Sequence, residues 1–243
     1  MSFNIKKSLR ALCICFLTVI MLVGCSGKKN GGLVQFDEDS VYSTVKMNIT
    51  GYGSVSFRIY TKTEPDVAST FLELCESGFY NGKPFFYIVD DYLLMAGLKN
   101  EDEGEGEEKK ESVASKRYKA DAVLSPEMHP YRGALCTSVN DENVSDLSSF
   151  YIIGMTPRKL LDIEELIESK EYTLQDYIKF GYKTEMSYEM LETYREYGGA
   201  PWLDGHTAVF GQAYEGLEVL DEIMEAHLAD PDIEILIKNI EID

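Results

Sequence analysis

Alternating apolar and polar residues predict several β-strands along the chain. The first two strands, at residues 45–50 and 54–60, flank the turn Gly51-Tyr52-Gly53, which is typical of a β-hairpin. The dense apolar run at 85–94 is interpreted as one buried strand that continues into another. Further strands are predicted at residues 133–138, at 148–153, within 202–211 after a loop, and at 233–242.

Apolar residues at helical spacing predict a smaller number of helices. One helix follows Pro65 and ends at Gly78, and another covers residues 217–225. Between them, residues 157–199 are interpreted as a helical insertion of three amphipathic stretches, the second of which is capped by Thr173. Strands at both ends and few helices predict a closed antiparallel barrel with an added helical subdomain.

The first 24 residues have the character of a secretory signal peptide. Lys6, Lys7 and Arg10 precede an apolar run at residues 11–23. This run is shorter than the roughly 20 apolar residues that span a bilayer, so we interpret it as part of a signal rather than as a transmembrane helix. Residues 25–42 would then form a flexible tether, and residues 43–243 the folded domain.

The signal ends in Leu22-Val23-Gly24-Cys25, which resembles the lipobox of bacterial lipoproteins. This resemblance implies cleavage just before Cys25 and diacylation of that cysteine. Two acyl chains hold a protein on a membrane where one is marginal. The expected location is therefore the extracytoplasmic face of a bacterial cell membrane. The alternative is an ordinary signal peptide or short anchor with a chance cysteine.

Composition and charge exclude several classes of protein. Of the 243 residues, 44% are hydrophobic and 12% aromatic, which allows a sizeable core and argues against global disorder. The formal net charge of −19 repels a phosphate backbone, so we expect no nucleic-acid binding. Five cysteines do not make a disulfide scaffold. A bridge between Cys75 and Cys136 stays open, although two buried thiols are the favoured interpretation.

An acidic low-complexity run covers residues 101–108, inside a loop predicted for residues 99–112. Its carboxylates do not follow the spacing of an EF-hand. The run is therefore interpreted as a solvated loop rather than as a cation site, and we expect neither a metal ion nor a cofactor.

Three segments of the chain carry specific motifs. The first, residues 45–97, contains Pro65-x-x-Ala68-x-x-Phe71-x-x-Leu74-x-x-x-Gly78-Phe79-Tyr80-Asn81-Gly82. The second covers residues 132–152 and begins Arg132-Gly133-Ala134-Leu135. The third contains Trp202-Leu203-Asp204-Gly205, then Val209-Phe210-Gly211-Gln212, then Glu215-Gly216-Leu217-Glu218-Val219-Leu220. In this order, and over roughly half of the mature chain, the segments resemble the cyclophilin-type peptidyl-prolyl isomerases.

The resemblance implies a mainly β fold. It is a closed eight-stranded antiparallel barrel capped by two helices, to which residues 157–199 add an inserted helical segment. It also implies that a groove on the outer face of the barrel binds prolyl peptides. The expected partners are proline-containing peptides or unfolded secreted proteins, bound by a monomer that needs no cofactor.

The residues at the family's two catalytic positions are substituted. Rotation about an X–Pro bond crosses a barrier of about 18–20 kcal/mol that amide resonance creates. The family uses an arginine in Phe-His-Arg, aimed at the proline nitrogen, and a glutamine in Phe-x-x-Gln-Gly, which binds the substrate backbone. The alignment has no gap between Phe85 and Gly97, so Tyr87 stands at the arginine position and Met95 at the glutamine position. A phenol donates one neutral hydrogen bond and a thioether donates none, so we expect weak catalysis.

The resemblance also implies an apolar floor for the proline ring. Tyr92, Leu93, Tyr151 and Leu203 match the floor positions, and Trp202 matches the rim. An apolar, aromatic-lined slot would therefore persist without the arginine. The alternative is that these five side chains only pack the barrel.

Polar positions around this slot are substituted as well. Ser149 stands where the family has a second glutamine, and Ser138 belongs to the same expected substrate pocket. Thr207 stands where the family has a histidine, although a shift of one residue would let His206 fill that space.

Three functional hypotheses remain open at this point. The first is a weak, lipid-anchored prolyl isomerase that helps secreted proteins fold. The second is a cyclophilin-like lipoprotein that binds extended segments without catalysis. The third uses the helical insertion as a partner-docking surface through Leu160, Leu161 and Ile167, although such a stripe more commonly packs on its own domain.

Overall fold

A computed structural model of the chain describes residues 34–37, 39–99, 118–182 and 184–243. The predicted signal peptide and Cys25 lie outside these ranges, as do residues 26–33 and 38 of the predicted tether and residues 100–112 of the predicted acidic loop. In the described ranges, no helix is both long enough and apolar enough to cross a membrane.

The described residues form ten strands, and eight of them make one antiparallel sheet. The order in this sheet is β10-β1-β2-β9-β6-β8-β4-β3, while β5 and β7 form a separate two-stranded sheet. The strands are β1 (Ser43–Ile49), β2 (Gly53–Ile59), β3 (Phe85–Val89), β4 (Leu93–Gly97), β5 (Lys119–Asp121), β6 (Ala134–Ser138), β7 (Val144–Asp146), β8 (Ser149–Ile153), β9 (Thr207–Glu215) and β10 (Ile237–Ile242).

The apolar run at 85–94 does not continue straight from one strand into the next. Its residues belong to β3 and β4, which pair antiparallel with Val89 opposite Leu93. The turn between them contains Asp91 at a positive φ of 47°, a conformation that Asp tolerates better than most residues. This hairpin brings Tyr87 and Met95 onto adjacent strands.

The prediction of a closed barrel is wrong, because β3 and β10 end the sheet order without forming a ladder with each other. Only an isolated bridge joins Pro84 to Leu236 at this seam. Three backbone hydrogen bonds accompany it: Gly82 N to Ile237 O at 2.7 Å, Phe85 N to Ile235 O at 2.8 Å, and Ile237 N to Lys83 O at 2.9 Å. No regular ladder extends from this bridge, so β3 and β10 remain the two edge strands of the sheet.

The inner face of the sheet and two helices enclose the main core. These helices, α1 (Pro65–Glu76) and α5 (Leu217–Ala229), are the two that the resemblance implies. Proline is well suited to the first position of α1, where an N–H would have no helical partner. The ring of Phe71 in α1 is fully buried, and its centroid lies 5.1–5.6 Å from those of Tyr80, Phe150 and Phe210.

The insertion consists of α2 (Pro157–Glu168), α3 (Leu174–Tyr182) and α4 (Tyr188–Tyr197). Their buried side chains form one apolar cluster with the outer face of the barrel. From the helices it includes Leu160, Ile167, Leu174, Ile178, Leu191 and Tyr194, and from the strands Cys136, Tyr151 and Val209. The apolar side chains predicted as a possible docking stripe therefore do not share one surface. Leu160 and Ile167 pack against the chain's own sheet, whereas Leu161 is exposed.

The two cysteines of the domain are free thiols and form no bridge with each other. Cys75 lies in the main core and Cys136 in the cluster on the outer face, so the sheet separates them. Both are buried, which confirms the interpretation of two buried thiols, and this burial raises the pKa of each.

Candidate functional site

A row of side chains crosses four neighbouring strands near one edge of the sheet. Tyr87 on β3 pairs with Met95 on β4, Met95 pairs with Tyr151 on β8, and Tyr151 pairs with Cys136 on β6. Directly opposed residues in such a sheet have Cβ atoms about 4.5–5.5 Å apart. Tyr87 is 54% exposed at the sheet edge, whereas Tyr151 is buried. The residues at the two catalytic positions thus lie beside a predicted pocket residue.

Gly97 keeps β4 close to β8 at the end of this row. Its φ is +112°, and a Cβ atom there would lie 2.5 Å from the carbonyl oxygen of Ser148. Only glycine fits this approach without strain. The glycine that ends the aligned segment therefore holds Met95 in register with Tyr151.

A groove of about 570 Å³ opens beside the row, between the large sheet and the β5–β7 pair. Four of the predicted pocket residues line it, namely Met95, Ser138, Ser149 and Tyr151. The remaining lining residues are ones that the sequence analysis missed: Lys119, Thr137, Val139, Asn140, Val144, Ser145, Asp146 and Phe150. Most of them lie between the predicted strands at 133–138 and 148–153, where β7 is only three residues long and leaves no clear alternation.

Of the predicted floor and rim residues, only Tyr151 is in the lining of this groove. Trp202 is buried, and its Nε1 donates a hydrogen bond of 3.0 Å to the Tyr92 hydroxyl. Tyr92 and Leu203 pack against the same apolar cluster as Tyr151 and Trp202. Leu93 is half-buried on β4 and is not among the described members of that cluster.

Thr207, and not His206, contacts the predicted pocket residue Tyr151. The Tyr151 hydroxyl is hydrogen-bonded to Thr207 Oγ1, which itself donates to the Thr137 carbonyl at 2.8 Å. Burial raises the pKa of Tyr151, so this phenol stays protonated at neutral pH. His206 is exposed and turns to the insertion, where its Nε2 lies 2.8 Å from the Tyr182 carbonyl oxygen. In this structure His206 therefore contacts the insertion, and the contact with Tyr151 comes from Thr207.

The arrangement offers an apolar cluster flanked by neutral donors. Tyr87 presents a phenol at the sheet edge, and the groove wall adds the hydroxyls of Ser138 and Ser149. Ser145 belongs to the groove lining, and its Oγ is buried without a hydrogen-bond partner among the described residues. Such a surface can hold an apolar side chain and bind an extended backbone through hydrogen bonds.

Comparison with known proteins identifies a family and several relatives. The family model "Cyclophilin type peptidyl-prolyl cis-trans isomerase/CLD" matches residues 44–242. A Staphylococcus saprophyticus protein named "Putative peptidyl-prolyl cis-trans isomerase" is 26% identical over 183 residues, which are 75% of this chain and 82% of that protein. A Staphylococcus epidermidis protein of the same name is 24% identical over 197 residues, 80% of this chain and 89% of that protein.

Solved structures show the same fold. A crystal structure of a Cryptosporidium parvum cyclophilin-type isomerase matches with a TM-score of 0.51 at 20% identity, covering 84% of this chain and 98% of that one. A second structure of that protein, determined in the presence of the dipeptide Ala-Pro, matches with a TM-score of 0.52 at 21% identity, covering 82% and 98%. With the family model spanning β1 to β10, the chain belongs to the cyclophilin-type peptidyl-prolyl cis-trans isomerases.

Proposed function

We propose that the chain binds proline-containing segments of secreted or surface proteins on its outer face and isomerises their X–Pro bonds at a low rate. Membership of the cyclophilin-type family supports peptidyl-prolyl isomerase function. The observation that carries the low rate is the presence of Tyr87 and Met95, side by side, next to Tyr151. We also propose that the chain acts as a monomer, anchored to the membrane through Cys25.

The reasoning rests on what the reaction requires. Isomerisation needs an apolar site for the proline ring and donors that favour the twisted amide over the planar one. Tyr92, Tyr151 and Leu203 supply the apolar site. A neutral phenol donor is about half as strong as a charge-assisted one, and losing one transition-state donor costs about two to three orders of magnitude in rate. The proposed activity is therefore weak.

A refolding assay tests this proposal. Micromolar chain is expected to accelerate the proline-limited refolding of a substrate protein modestly, because the apolar site still binds and desolvates the prolyl amide. Leu203→Ala is expected to reduce the acceleration, whereas the matched control Leu228→Ala, at a residue that is 65% exposed, should leave it unchanged. No acceleration at any concentration would contradict the isomerase proposal.

Binding without catalysis is the second candidate function, and the thioether of Met95 favours it because sulfur cannot donate a hydrogen bond. Trp202 is the only tryptophan of the chain and contacts Tyr92, so its fluorescence reports on the pocket. Saturable changes on titration with prolyl peptides, without faster refolding, would support a binder. A flat titration over a panel of peptides would contradict both functions.

The anchor has its own test. Cys25→Ser is expected to release the protein from the membrane fraction of a bacterial host, because the acylated side chain is lost. Cys13→Ser changes a cysteine inside the predicted signal peptide and should leave the fractionation unchanged. If the Cys25→Ser protein stays with the membranes as the unaltered chain does, the lipoprotein proposal is wrong.

A further inference from the structure

A buried carboxylate lies directly after the turn that carries two pocket residues. The turn Pro201–Leu203 presents Trp202 and Leu203, and Asp204 follows it. Asp204 Oδ2 accepts a hydrogen bond of 3.0 Å from the Tyr194 hydroxyl and lies 2.9 Å from His129 Nδ1. Tyr194 belongs to α4 of the insertion, so one bond of this pair connects the inserted helices to the pocket wall.

Because the three side chains are buried, loss of either hydrogen bond would leave the Asp204 carboxylate without a partner that water could replace. Asp204 is 8% exposed, His129 is 7% exposed and Tyr194 is fully buried. A buried carboxylate that loses a partner keeps its full desolvation cost, whereas an exposed one is rescued by water. Burial, and after it the Asp204 carboxylate, raise the pKa of Tyr194, so its phenol remains a donor throughout the neutral range.

The insertion also contacts the far side of the same segment. The Thr184 hydroxyl donates to the Asp204 carbonyl at 3.4 Å, and the His206 ring bonds to the Tyr182 carbonyl. The insertion thus contacts the chain immediately after the turn.

We propose that Tyr194 is a positioning residue: together with His129 it holds Asp204, and thereby keeps the Trp202–Leu203 wall against Tyr92. On this account the insertion shapes the prolyl pocket without touching the peptide. The inference deepens the proposed function and rests on it only for the peptide-binding readout. The orientation of Trp202 can be measured without any peptide.

Tyr194→Phe in the full-length chain tests the inference. The variant removes one hydroxyl and keeps the ring, whose centroid lies 4.6 Å from that of Tyr131. We expect the Trp202 emission to shift to longer wavelength, acrylamide quenching to increase, and the Kd for a prolyl peptide to rise about tenfold. In the refolding assay KM should rise while kcat changes little, because the wall binds substrate and transition state alike.

Tyr197→Phe is the matched control, because it removes a hydroxyl from the same helix and keeps a ring that stacks on Phe36 at 4.3 Å. It should leave the Trp202 spectrum and the peptide Kd unchanged. Asp204→Asn is a second variant of nearly the same size in case Tyr194→Phe folds poorly, and it should shift the Trp202 spectrum in the same direction.

Each outcome decides the inference. An unchanged Trp202 spectrum and Kd in both Tyr194→Phe and Asp204→Asn would overturn it, and so would an equal change in Tyr197→Phe. A lower unfolding temperature with an unaltered Trp202 spectrum would show a merely structural hydroxyl and would overturn it as well. If the spectrum shifts only in the two test variants and no chain binds prolyl peptides, the positioning role stands and the proposed function fails.

Discussion

Replacing Tyr87 by arginine and Met95 by glutamine is expected to raise kcat/KM for X–Pro isomerisation by about a hundredfold. The arginine supplies a charge-assisted donor that the phenol lacks, and the glutamine amide adds a donor where the thioether has none. Tyr87 is 54% exposed on the edge strand β3, so the longer side chain meets no packing obstacle. Met95 is half-buried and similar in length to glutamine.

The control for this prediction is a second double variant, in which a tyrosine and a methionine of the insertion are replaced by the same two residues. Tyr172→Arg with Met190→Gln changes an exposed tyrosine and a half-buried methionine in the insertion, so the net charge of the two double variants is equal. Proline-limited refolding measures the rate. Equal gains in both double variants would point to a general effect of charge. If the double variant at residues 87 and 95 gave no faster refolding, the missing arginine and glutamine donors would not limit the reaction. That result would contradict our interpretation of the site.

Phe71→Ala is expected to lower the free energy of unfolding by about 3–5 kcal/mol. The Phe71 ring is fully buried and touches three aromatic rings, from Tyr80, Phe150 and Phe210. Removing it leaves a cavity between α1 and the inner face of the sheet that such a close-packed core cannot fill. The midpoint and slope of denaturant unfolding measure the loss.

Phe180→Ala serves as the comparison, because it makes the same exchange at a residue of α3 that is 73% exposed. Its free energy of unfolding should stay within about 0.5 kcal/mol of the unaltered chain. If the two variants were destabilised equally, the assignment of Phe71 to the main core would be wrong.

Local patterns in the sequence were sufficient to predict the strands and helices that bury one face. The hairpin of β1 and β2 follows from alternation, and α1 follows from apolar residues at helical spacing that end before Gly78. In each case the information lies within about ten residues of chain, where periodicity reports directly which side is buried. The neighbouring positions of Tyr87 and Met95 were not predicted, because the run at 85–94 was interpreted as one strand continuing into another and only the structure shows the hairpin that pairs them.

Features that depend on contacts between distant parts of the chain could not be predicted from these local patterns. Alternation indicates that a strand has a buried face but not whether the two edge strands of the sheet meet, and here β3 and β10 share only the bridge between Pro84 and Leu236. A motif match could not separate Thr207 from His206, because one residue of slip reverses the face of a strand. Residues 139–146 of the groove wall contain only the three-residue strand β7, so their sequence has no periodic pattern from which the groove could be predicted.

The sequence by itself determined the family and most of the strands and helices, and it predicts that residues 87 and 95 lack the arginine and glutamine donors. Only the tertiary structure decided that the sheet stays open, that Trp202 is buried against Tyr92, and that Tyr194 reaches Asp204 from an inserted helix. The physical reason is that periodicity records how each segment meets solvent, whereas these contacts depend on which buried faces meet each other.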